Sequence, residues 1–130
     1  MNAEIKKQNG VVFTPEWVAN FMVDEILNSQ KINGDEKILD AGCGEGVFTI
    51  IAAQKFSKLS GKKYEKVIED NIYFADISEE YIEKTKQNLQ KLSKNKITKF
   101  NATIDDFCFH NFNEKFDFII GNPPYVRIQN

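Results

Sequence analysis

Apolar positions along the chain follow two rhythms, and their alternation predicts the fold. Trp17, Val18, Phe21, Met22, Ile26 and Leu27 recur at helical spacing. They predict a first helix with Thr14 as N-cap, Pro15 at the first helical position and Glu16 placed favourably toward the dipole. Residues 1–10 are polar and expected to fray, and Asn33-Gly34 marks a turn. Lys37-Ile38-Leu39-Asp40 reads as a short buried strand, followed by a helix over 46–58 carrying Val47, Ile50, Ile51 and Phe56. The lysine-rich stretch 57–70 reads as loop. Ile72 to Ala75 form a second strand ending at Asp76. Ser78 caps a third helix with Glu79 and Glu80 in its first turn and Ile82, Thr85, Leu89 and Leu92 on its inner face. Residues 97–103 and 116–120 supply two more strands. Strand and helix in turn predict parallel βαβ units, an α/β doubly wound architecture with helices on both sheet faces.

Composition removes several classes. The 130 residues suit one domain, 1–130, with 42% hydrophobic and 28% charged residues, as in a globular chain. Two cysteines, Cys43 and Cys108, allow at most one bridge, and with the single histidine, His110, they are too few for a typical zinc site, so no metal is expected. Cys43 and Cys108 read as packing residues and His110 as a loop residue. No apolar run approaches a membrane span and the start is no signal peptide, so a soluble, cytoplasmic protein without a membrane partner is expected. The net charge is −2 and Arg127 is the only arginine, so no overall basic excess announces a nucleic acid. The lysines read as solvated faces.

In sheets of this kind ligands bind beyond the carboxyl ends of the strands. Four strand ends here carry distinctive residues: Asp40 with Gly42, Gly44 and Gly46; Asp76; Asp106-Phe107; and Gly121-Asn122-Pro123-Pro124-Tyr125. The glycines let the backbone approach a ligand, and Val47 stands where a dinucleotide fingerprint wants its third glycine. That departure favours S-adenosylmethionine, which has no pyrophosphate to place on helix amides, over a nicotinamide dinucleotide. Asp76 is placed to accept both ribose hydroxyls. Asp106, preferred over Asp105, can accept from an adenine amino group, with Ile77 and Phe107 around the ring. Prolines hold Asn122 and Pro123 extended, so the Asn122 side-chain oxygen and the Pro123 carbonyl can converge on both hydrogens of one amino group. Tyr125 offers a face for stacking.

With these residues in order, the sequence resembles the N-terminal half of a class I S-adenosylmethionine-dependent methyltransferase of the DNA N6-adenine, restriction-modification type. The resemblance rests on Val12-Phe13-Thr14-Pro15, on Ile38 to Gly46, on Asp76, on Asp106-Phe107 and on Asn122 to Tyr125, and runs over residues 11–127. It implies a Rossmann-like sheet of about four strands in order 3-2-1-4. It implies that Thr14 binds the methionine carboxylate end, with Asp40, Gly42 and Gly44 around the amino acid part. Asp76 would then hold the ribose, and Asp106 with Ile77 and Phe107 the adenine. Asn122 and Pro123 would bind the target amino group, with Tyr125 stacked on an adenine flipped out of the DNA.

The family's sheet has seven strands, so the chain reads as a fragment of a longer enzyme or a truncated product, inactive by itself. DNA would be met through the longer protein. The same motif also serves protein glutamine and RNA amino groups, and a non-catalytic cofactor-binding module is the reading from another class. Residues 116–120, internal in the family, would here form an apolar edge guarded only by Asp117, which predicts a homodimer or aggregation through that edge.

Overall fold

The structure, a computed structural model, describes residues 14–106 and 111–121. Its elements are helix Glu16–Leu27 (α1), strand Ile38–Ala41 (β1), helix Val47–Ser60 (α2), helix Tyr64–Asp70 (α3), strand Ile72–Asp76 (β2), helix Glu79–Lys91 (α4), and strands Asn101–Ile104 (β3) and Phe118–Ile120 (β4). The four strands are parallel and lie in the expected order, β3-β2-β1-β4. Ile38 pairs with Ile72 on one side and Phe118 on the other, and Asp40 with Phe74 and Ile120. This register brings the carboxyl ends of β1, β2 and β4 to one edge of the sheet.

Period-two alternation sorts the strand residues. Ile38, Ile72, Phe74, Phe118 and Ile120 join a core with residues from all four helices, Phe56, Val67, Ile68, Ile82 and Leu89 among them. Leu39, Ala41 and Ala75 point the other way and meet Tyr73, Phe112 and Phe116. Of the helical layers expected on the two faces, the described residues show one. Phe116 sets its ring edge-on to Tyr73 and Phe112, with centroids 5.2 and 5.4 Å apart. Ile119 in β4 is 62% exposed.

Several expected boundaries shift. The cap of α1 is Pro15, extended and without a side-chain cap hydrogen bond, so the helix starts at Glu16 rather than just after Thr14. The helix buries Ala19, Val23 and Leu27, whereas Trp17 is 74% and Phe21 62% exposed. The predicted stripe is therefore split: Ile26 and Leu27 meet the core at its carboxyl end, while Trp17 and Phe21 lie on the outer face. Small Ala19 wins the core side because α1 packs closely on α2. The stretch read as loop contains α3, whose Val67 and Ile68 are fully buried between Lys66 and Glu69. Leu92 is the C-cap residue of α4 and is exposed, but Ile82, Thr85 and Leu89 are buried as expected. Ser78 caps α4 by accepting from the Tyr81 amide at 3.2 Å. Ile97 joins the core from outside β3.

Asn71, 1% exposed, ties the turn before β1 to the start of β2. Its amide donates to the carbonyls of Gly34 at 2.9 Å and Glu36 at 2.7 Å, and its side-chain oxygen accepts from Lys62 Nζ at 2.7 Å. Asn71→Ala would leave two buried carbonyls without this donor and is expected to cost about 2–3 kcal/mol. A urea unfolding midpoint equal to that of the unmodified chain would contradict this.

Candidate functional site

β1 ends on Asp40 and Ala41 and the chain then turns through Gly42, Gly44 and Gly46 into α2. The amides of Gly42 and Cys43 donate to the Ala75 carbonyl at 2.8 and 2.9 Å, which fastens the turn to the neighbouring strand. Gly46, at φ 96°, is the cap residue of α2. A Cβ there would stand 3.0 Å from the Thr85 methyl, so the loop lies directly on α4.

Asp40 is 1% exposed. The Thr49 hydroxyl donates to its Oδ2 at 2.5 Å, while its Oδ1 is buried and has no hydrogen-bond partner among the described residues. Burial pushes its carboxyl up to about 7; the Thr49 hydrogen bond opposes this and the Asp76 charge adds to it. Gly121, the residue after β4, closes over the same carboxyl group. A Cβ on Gly121 would lie 2.4 Å from the Ala41 carbonyl oxygen and 2.7 Å from Asp40 Oδ1.

Asp76 faces the loop from the end of β2. Its Oδ2 accepts from the Gly44 amide at 3.0 Å and its Oδ1 from the Ser78 amide at 2.9 Å. Two oxygens offer about four acceptor positions, so both keep capacity for further donors. Ile77 beside it is 58% exposed. The Asp105 amide donates to the Asp76 carbonyl at 3.0 Å, and Asp105 Oδ1 accepts from the Asp106 amide at 2.7 Å. Hydrogen bonds thus join the Gly42–Gly44 turn to the end of β2 and Asp76, with Asp40 beside it at the end of β1 and Asp106 beyond the end of β3. Thr14 stands half-buried ahead of α1. Phe107, Asn122, Pro123 and Tyr125, with Cys108 and His110, lie outside the described residues. Cys43 is buried, and burial pushes its thiol up, so it is a packing residue rather than a nucleophile.

These residues lie at the carboxyl ends of parallel strands, where sheets of this kind bind ligands, and the comparison with known families gives the family. Residues 32–128 match the family described as Methyltransferase domain. The chain belongs to this methyltransferase family. Release factor glutamine methyltransferase of Borreliella burgdorferi is 31% identical to the methyltransferase chain over 119 residues, 92% of this chain and 36% of that protein. Release factor glutamine methyltransferase of Bacillus cereus is 30% identical over 95 residues, 72% of this chain and 29% of its own length. Ribosomal RNA small subunit methyltransferase C of Haemophilus ducreyi is 27% identical over 107 residues, 82% of this chain and 27% of its own. The methyltransferase chain therefore spans about a third or less of the length of these relatives.

Sequence reasoning passed over Thr49 as a site residue, placed Gly121 in a strand-end motif without giving it a role, and gave Thr85 to the core. The signal for both threonines was a hydroxyl inside an otherwise apolar helical stripe. For Gly121 it was a glycine closing a buried strand.

Proposed function

We propose that the chain holds the cofactor site and the acceptor motif of an S-adenosylmethionine-dependent N-methyltransferase whose acceptor is the side-chain amide of a protein glutamine. The observation that carries this reading is the match to a release factor glutamine methyltransferase over 92% of the chain. A nucleobase amino group in RNA is the second reading, favoured by the ribosomal RNA methyltransferase among the relatives. Both take precedence over the DNA adenine target suggested by the motif. The chemistry explains why the motif alone does not separate them. A glutamine amide and an adenine amino group are both planar NH2 groups whose lone pair is drawn into a neighbouring π system. Two acceptors, Asn122 Oδ1 and the Pro123 carbonyl, can receive both hydrogens of either and favour the pyramidal nitrogen that attacks.

The described residues fit the cofactor. Bound there, S-adenosylmethionine supplies an electrophilic methyl group on a sulfonium. The Gly44 amide, a donor a pyrophosphate would need, is already given to Asp76. Asp76 and Asp106 add negative charge at neighbouring strand ends, which disfavours phosphate and suits a cationic, phosphate-free nucleoside. Asp76 would receive ribose hydroxyls on its remaining lone pairs, and Asp106 with Ile77 and Phe107 would receive the adenine. Thr14, Asp40, Gly42 and Gly44 would surround the methionine part. Asp40 Oδ1, buried and without a partner among the described residues, leaves a hydrogen-bonding position for the cofactor's amino acid part.

Calorimetry on the 130-residue chain tests the cofactor half. It is expected to show S-adenosylmethionine or its demethylated product binding, weakened by about 1–3 kcal/mol in Asp76→Ala. Heat with a nicotinamide dinucleotide and none with either sulfur nucleoside would overturn the reading. The acceptor half is read by offering purified release factor, small-subunit ribosomal RNA and duplex DNA with labelled cofactor. Retention and label on the release factor, lost in Asn122→Ala, support the glutamine reading. Selection of DNA instead returns the adenine target.

A further inference from the structure

Helix α4 holds the glycine-rich loop by side chains that neither the motif nor the cofactor residues include. The Thr85 hydroxyl donates to the Gly44 carbonyl at 2.8 Å and lies 3.4 Å from the Cys43 sulfur. One turn on, the Asn88 amide donates to the Glu45 carbonyl at 2.9 Å. The Thr85 methyl abuts Gly46, where a Cβ would stand 3.0 Å away. Four successive loop residues, 43 to 46, are thus gripped by two side chains three positions apart on one helix face. From the other side the Gly44 amide is held by Asp76, and α4 itself begins two residues beyond Asp76, at the Ser78 cap.

We propose that Thr85 and Asn88 are positioning residues for the cofactor, a clamp through which β2 and α4 act as one rigid body that sets the loop against the ribose acid. The inference rests on the cofactor reading above. A loop carbonyl and its following amide share one peptide plane, so fixing the Gly44 and Glu45 carbonyls fixes the directions of the Glu45 and Gly46 amides as well. The Gly44 amide is fixed independently by Asp76. The amino acid end and the ribose end of the site are therefore set at a constant separation before any ligand arrives, and this preorganisation shows as affinity. Thr85 is fully buried and its hydroxyl has the loop as its partner, so a shape-preserving replacement separates positioning from packing.

The test compares Thr85→Val, Thr85→Ser and Asn88→Ala with the unmodified chain. Three measurements are taken on each: calorimetric affinity for the demethylated cofactor, melting temperature, and hydrogen exchange of the Gly44 and Gly46 amides. Thr85→Val keeps the volume and loses the donor; its Kd is expected to rise about three- to tenfold, with faster loop exchange. Thr85→Ser keeps the donor and loses the methyl; its Kd is expected to stay near that of the unmodified chain while its melting temperature falls. Asn88→Ala, at a partly exposed position, is expected to raise Kd about threefold with little change in melting. If Kd instead follows melting temperature across the three, or does not change, the clamp is purely structural and the proposal is overturned. If the unmodified chain binds no sulfur nucleoside, the cofactor reading fails and the proposal with it.

Discussion

Gly121→Ala is expected to destabilise the chain by about 3 kcal/mol or more and to abolish cofactor binding. The added Cβ would meet the Ala41 carbonyl oxygen at 2.4 Å, and that oxygen belongs to backbone in a central strand and has no room to retreat. The position also has φ 125°, a conformation that side-chain-bearing residues rarely adopt. Strain of this kind costs on the order of 1–3 kcal/mol by itself, and the clash adds to it. The first relief open to the chain is to withdraw the end of β4 from Asp40, which opens the Asp40 end of the proposed site. Urea unfolding and calorimetry check the two effects. A midpoint within about 0.5 kcal/mol of the unmodified chain would show that the contact is not maintained in solution.

Stability is also expected to fall as pH rises from about 4 to about 7, through Asp40. The carboxyl rises from an ordinary 3.8 to about 7 because the folded chain buries it. Between these values the unfolded chain has released the proton and the folded chain has kept it. The folded state binds more protons, so raising the pH favours unfolding until the folded carboxyl ionises as well. The group's contribution is most favourable below about pH 4 and is lost above about 7, a span of about 4 kcal/mol. Asp40→Asn keeps the shape and the acceptor for Thr49 but does not ionise, so it is expected to remove this slope. Glu36 and Glu69, both held below the ordinary carboxylate range, contribute with the opposite sign. The difference between the variant and the unmodified chain isolates Asp40. Parallel stability curves for the two proteins across pH 4–7 would refute the assignment.

Much of the fold was legible because the apolar runs of the central strands β1 and β2 and the capping signals of the helices leave strong local marks. Ser78 with Glu79 and Glu80 opens α4 as read, and Ile72 to Asp76 form β2 as read. What misled was burial decided by distant partners. Trp17 and Phe21 have core-like side chains but lie on the outer face of α1, because α2 leaves room on its side for Ala19. In the seven-residue α3, Tyr64, Val67 and Ile68 meet the core, a stretch too short to show a helical period among its charged residues. The site divides in the same way. Asp40, Asp76 and the glycines were legible because strand ends and loops have local signatures. Their partners Thr49, Thr85 and Asn88 were not, since contacts across 9, 41 and 43 residues are set only by how the helices pack.

The place of β4 in the sheet has a consequence for how permanent the site is. β1 meets β2 after the short excursion from Ile38 to Ile72, through four residue pairs, but it meets β4 through three. The bond from the Lys37 amide to Asp117 beside that ladder closes an interval of 80 residues. Chain entropy charges roughly 0.8 kcal/mol more for the longer closure. The strand that leads toward Asn122 is thus the less tethered of the two neighbours of β1. Local opening is expected to release β4 before the contacts among β1, β2 and α4, and on the proposed function that opened form would hold a cofactor without being poised to use it.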